Sequence, residues 1–171
     1  YADTIEDAHR CLDQANLPCA IEIQQRLISE QSTNTNVLQL SARTYFHQGD
    51  FKSVVAILDQ LAEQGIEIPD DGGFPARASL EAFTGMVSTT GKGVVIRHDP
   101  GIDRVLVQDA VHTMESAREV FDALLGGGPE HEVVLDIFPT ARRFMQASGI
   151  PEEAVRTTGV IALSKWNRLL V

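Results

Sequence analysis

The first third of the chain places apolar residues at helical spacing. Ala42, Tyr45, Phe46, Phe51, Val54, Leu58 and Leu61 recur three and four apart on either side of Gly49-Asp50. That pattern predicts a helical hairpin. Gly49 suits the residue that closes one helix, and the Asp50 carboxylate suits the cap that opens the next. A weaker copy lies 34 positions earlier: Ala8 stands for Ala42, Cys11 for Tyr45, Asn16 for Asp50, Ala20 for Val54 and Leu27 for Leu61. Pro18 then falls in a first helical turn, where it is tolerated. Small residues recurring where helices cross let backbones approach, and the larger ones fill the seam.

Ile66 to Pro75 is rich in Pro, Gly and Asp and reads as a linker. Residues 76–86 predict one connecting helix. Beyond it the pattern alternates between strand and helix. Gly93 to Arg97 reads as a strand, Asp99-Pro100-Gly101 as a turn, and Ile102 to Leu125 as a long amphipathic helix stopped by Gly126 to Pro129. Glu132 to Phe138 carries the apolar run of a buried strand. Thr140 to Ser148 reads as a short helix closed by Gly149, with a brief helical turn after Pro151. Thr158 to Leu163 and Trp166 to Val171 read as two further strands. The expected fold class is α+β, with N-terminal helical-repeat hairpins plus a small mixed β-sheet with packed helices. The expected domains are 1–68 for the hairpins, 69–86 for the linker and connecting helix, and 87–171 for the α/β part.

Composition narrows the function classes. A content of 43% hydrophobic and 22% charged residues is ordinary for a globular chain. No apolar run is long enough to span a membrane. The net charge is −10; residues 1–69 carry ten acids and four bases, and residues 70–171 carry fourteen acids and ten bases. Neither part offers the basic surface that a phosphate backbone requires, so nucleic acid is not an expected partner. Cys11 and Cys19 flank a tight helical turn and are either a disulfide or two small buried residues; a bridge would favour a periplasmic or secreted protein.

The 34-residue period with small residues at each crossing resembles the tetratricopeptide repeat, with Thr4 and Leu38 in place of its large early aromatic. That resemblance implies a protein or peptide partner on a concave face, where His9, His47, Gln24 and Gln39 are candidates. From about residue 87 onward, the segments LGGGPEHEVVLDIFPTARRFMQASGIP and TTGVIALSKWNRLLV resemble the N-terminal subdomain of gluzincin-type, peptidase-MA-like metallopeptidases. The resemblance implies a twisted mixed sheet whose edge strand, here Gly159, Val160, Ile161 and Ala162, pairs with an extended peptide. It also implies a parent protein that continues past Val171 into a His-Glu-x-x-His helix. Zinc is expected only there, and no cofactor or catalytic residue is expected within this chain.

Other chemistry is absent from the sequence. His131-Glu132 is followed by Val133-Val134-Leu135 and lacks the second histidine of a zinc helix. Thr89 to Gly93 lacks phosphate-loop spacing and reads as a turn. His98-Asp99, at a strand end, is a candidate pair whose simpler reading is a solvated turn. Trp166 reads as a core or cleft-wall residue. Oligomeric state is left open by the sequence.

Overall fold

The computed structural model describes residues 4–31, 33–66, 68, 75–101, 104–127, 132–165 and 168–171. The fold is α+β, with eight helices and a small mixed five-stranded sheet among the described residues. The chain divides into two compact units, Tyr1–Leu80 and Glu81–Val171.

The first unit contains α1 (Ile5–Asp13), α2 (Leu17–Gln31), α3 (Thr35–Gln48) and α4 (Phe51–Glu63). Each helix packs on its chain neighbour, and α1 also meets α3. Thr4 opens α1 with a reciprocal capping box to Asp7. The 34-residue period holds down to individual hydrogen bonds. Asn16 N donates to Cys11 O and Asp50 N to Tyr45 O; Ala15 N donates to Leu12 O and Gly49 N to Phe46 O. Asn16 Oδ1 accepts from Cys19 N at 3.3 Å, and Asp50 Oδ1 accepts from Ser53 N at 3.2 Å. Ala8, Ala20 and Leu27 are buried, as are their counterparts Ala42, Val54 and Leu61.

Two concave-face candidates lie in the interior instead. Gln24 is 1% exposed and His47 is 8% exposed. The reason is periodicity: α2 buries Ala20, Ile23, Gln24 and Leu27, and Gln24 is the third residue of that stripe. His47 sits on α3, which is flanked by α2 and α4, and its ring meets Phe46 edge-on at 6.1 Å. Gln39 is exposed and His9 half-buried.

The helix α5 (Ala76–Phe83) runs across the division between the units. The second unit continues with β1 (Val87–Gly91), β2 (Val94–His98), α6 (Arg104–Leu125), β3 (Val133–Ile137), α7 (Ala141–Ser148), α8 (Glu152–Thr158), β4 (Leu163–Lys165) and β5 (Arg168–Leu170). The sheet order is β1-β2-β3-β5-β4. The three central strands are mutually parallel, and each edge strand is antiparallel to its neighbour.

Alternation along these strands sorts residues onto two faces. Val94, Ile96, Leu135 and Leu169 share one face, packed with Val107, Val111 and Met114 of α6. Arg97, Asp136, Arg168 and Leu170 alternate with them and occupy the other. There, Leu170 joins Ala82, Phe138, Phe144 and Ala147 in a second core. α7 ends at a left-handed Gly149 as expected, whereas Thr140, read as its first residue, is the cap whose side chain accepts from Arg143 N.

Two segments differ from the expected elements. Thr89 to Gly91, read as part of a turn, belongs to β1, and only Lys92 and Gly93 form the hairpin loop. β-branched threonines suit a strand, but their polarity hid it. Thr158 to Ala162, read as strand, begins inside α8; the strand starts at Leu163. The linker at 66–75 lies almost wholly outside the described residues, as do His131 and Trp166.

Candidate functional site

Gly159 to Ala162, the segment that the resemblance implies as an edge strand, lies outside the sheet, and the strand at that margin is β4, Leu163–Lys165. Gly159 is the left-handed cap of α8, with φ 65°, and its N–H donates to Val155 O. A Cβ there would meet nothing within 4 Å, and the positive φ is one that favours glycine. Val160, Ile161 and Ala162 link the cap to the strand, and Ile161 is 83% exposed. β4 itself pairs only with β5 among the described residues: Leu163 with Leu170, Ser164 with Leu169, and Lys165 with Arg168. Its other side carries backbone donors and acceptors with no strand partner there.

One strand in from that edge begins a charge cluster that sequence reasoning did not single out. Asp136 is fully buried at the centre of β3. Arg97, its register partner on β2, donates from Nε to Oδ1 at 2.5 Å and from Nη2 to Oδ2 at 2.9 Å. Arg168, on β5, donates to Oδ2 from Nη2 at 2.7 Å and from Nε at 3.3 Å. The Phe83 ring takes both guanidiniums, with Arg97 4.5 Å and Arg168 5.3 Å from its centroid. Phe138 meets Phe83 edge-on at 5.2 Å. Burial pulls the Arg168 guanidinium below its ordinary value; the Asp136 charge opposes that shift, and the Arg97 charge adds to it. The available signal was a charged residue inside the apolar run Val133 to Ile137, because buried carboxylates persist only when paired.

Other candidates resolve into structural roles. His98 is buried and held at both ring nitrogens. Its Nδ1 lies 2.9 Å from Asp99 O and its Nε2 3.2 Å from Thr89 Oγ1. A carbonyl only accepts, so Nδ1 carries a proton and donates it to Asp99 O. Asp99 in turn caps its own bend, accepting from Gly101 N at 2.9 Å, and pairs with Arg143 at 3.4 Å. Cys11 and Cys19 are joined by a disulfide across the first hairpin turn, with Cα atoms 5.9 Å apart. In the same unit, Arg43 reaches from α3 to His9 Nδ1 on α1 at 3.1 Å and to Asp13 at 2.8 Å.

Among the described residues, no group of three or more His, Cys, Asp or Glu is placed to hold a metal ion. No described helix is long and apolar enough to cross a membrane. No protein-family model, curated protein or solved structure matches the chain.

Proposed function

We propose that this chain binds protein and peptide segments as the non-metal part of a zinc-peptidase-like protein. In this reading the second unit corresponds to the N-terminal subdomain of a gluzincin-type domain. Its β4 edge takes an extended peptide as an added strand. The observation that carries the reading is the position of β4: it ends a mixed sheet, antiparallel to β5, with no second strand partner among the described residues. Backbone groups at such an edge recognise extended chains without regard to sequence, and neighbouring side chains supply selectivity. Zinc and its ligands would come from a His-Glu-x-x-His segment after Val171, within about 40 residues by the family pattern.

A second reading is a non-catalytic tetratricopeptide-type binding module. It is favoured by the first unit alone, where the turn and cap hydrogen bonds repeat 34 residues apart. Both readings give the first unit a protein partner and differ in whether the second unit serves hydrolysis.

Amide hydrogen exchange tests the edge. A saturating mixture of extended peptides is expected to slow exchange within Leu163–Lys165. Protection confined to α1–α4 would favour the second reading, and no protection anywhere would overturn both.

A further inference from the structure

We propose that β1 is the edge through which two copies of this chain join, pairing antiparallel into one continuous sheet. β1 forms the sheet margin opposite β4 and pairs only with β2 among the described residues. Exposed strand edges are normally blunted by charge, proline, a bulge or short length. β1 has none of these. It runs for five residues, Val-Ser-Thr-Thr-Gly, in unbroken register with β2, and Val87, Ser88 and Thr90 are exposed. Alternate residues of such a strand turn their N–H and C=O groups away from the paired neighbour. β4, by contrast, is three residues long and carries Lys165.

The strand's own sequence argues for a second copy. With Thr89 on a two-fold axis, Ser88 of one copy faces Thr90 of the other, a hydroxyl pair that suits adjacent strands. No like charges meet, because β1 has no charge. Val87, 42% exposed, faces the one residue of the strand without a side chain, Gly91. Val87 and Gly91 share the α6 face, being the register partners of His98 and Val94. A Cβ on Gly91 would fall 2.8 Å from Val111 Cγ1, so a methyl of α6 already stands over that glycine. The pairing therefore brings Val87 of each copy toward Val111 of the other. The axis runs through the sheet, so both α6 helices lie side by side on one face. A five-residue edge alone covers well under the roughly 800 Å² per partner of a standard interface, so the dimer is weak and reversible. Each copy carries a net charge of −10, and salt that screens this repulsion strengthens the pairing. The inference is independent of the peptide-edge reading, because β4 contributes nothing to it.

Sedimentation of the full chain over a concentration series reads the mass. It is expected to rise reversibly from 18.7 kDa toward twice that value, and further at high salt than at low. Ser88→Lys with Thr90→Lys sets ammonium groups opposite one another and should weaken association at least about tenfold. Ser164→Lys, on β4, should leave it unchanged. Cross-linking reads the register, since both native cysteines are already joined. In the proposed pairing the two Thr89 Cα atoms lie about 4.5 to 5.5 Å apart, within disulfide reach. Thr89→Cys should therefore oxidise to a covalent dimer faster than Val87→Cys, and it serves if the lysine variant does not fold. A mass fixed at 18.7 kDa, association untouched in the folded lysine variant, its loss in Ser164→Lys, or equal cross-linking at 87 and 89 would each overturn the proposal. So would protection of the β1 amides by an added threonine–valine peptide in a chain that stays monomeric, which would assign the edge to a foreign strand.

Discussion

The two hairpins of the first unit share one set of backbone hydrogen bonds but hold their turns together by different means. In α1–α2 a disulfide joins Cys11 to Cys19. In α3–α4 the same positions are Tyr45 and Ser53, and the turn is closed by Phe46 against Phe51, edge-on at 5.4 Å. Those rings stand where the first hairpin has Leu12 and Leu17. The left-handed residue is Ala15 in one turn, at φ 56°, and Gly49 in the other, at φ 77°. A buried stripe position is Gln24 in one and Leu58 in the other. In each contrast the first hairpin has the costlier local choice, and it alone carries a covalent staple. A backbone template can thus be kept while its stabilisation moves from side-chain packing to a covalent bond.

The comparison can be broken by removing the staple. Cys11→Ala with Cys19→Ala releases a short loop and should cost about 2 to 3 kcal/mol by loop-closure entropy. Urea unfolding would measure it, and an unchanged midpoint would mean that the first hairpin needs no bridge. Next in size is Gln24→Leu, which installs the residue of the second hairpin. Gln24 Nε2 is buried without a hydrogen-bond partner among the described residues. Removing that unsatisfied donor should raise stability by about 1 to 2 kcal/mol, and a loss would show that the amide is satisfied in solution.

Smaller again is Ala15→Gly. A left-handed alanine costs about 1 to 2 kcal/mol, and glycine returns part of that gain as backbone entropy. The expected net stabilisation is about 0.5 to 1 kcal/mol, with Gly49→Ala shifting the same denaturation curve the other way. The smallest effect concerns His9, whose pKa is lowered from its usual 6.5, first by burial and then by Arg43, with Asp13 opposing. The unfolded state therefore binds the proton more readily. Stability present above pH 6.5 should fall as pH drops through the lowered folded value. His9→Gln should flatten that slope in a stability-against-pH series, while a slope unaffected by the change would assign it elsewhere.

Much of the architecture was legible because it rests on local chemistry. Gly49-Asp50, Asn16 and Gly149 announce helix ends through caps, and the apolar run from Val133 marks a central strand. What escaped depends on partners remote in sequence. Gln24 is polar by type and buried because it falls on the α2 stripe in a helix packed between α1 and α3. β1 becomes a strand through its pairing with β2. The segment after Pro151 has enough helix-forming residues to extend α8 to Thr158, so Gly159 caps a helix and the strand begins only at Leu163. The arginine–aspartate cluster was hidden for the same reason, since its members are 39 and 32 residues apart.

That separation has a consequence for the order of assembly. Every turn contact of the first unit lies within a few residues, so its loops close early and at little entropic cost. Asp136 gathers its second guanidinium only after two crossover segments have brought three parallel strands side by side. Non-local pairing of that kind is slow. During refolding, far-ultraviolet helical signal is expected to recover ahead of amide protection in β3 and β5.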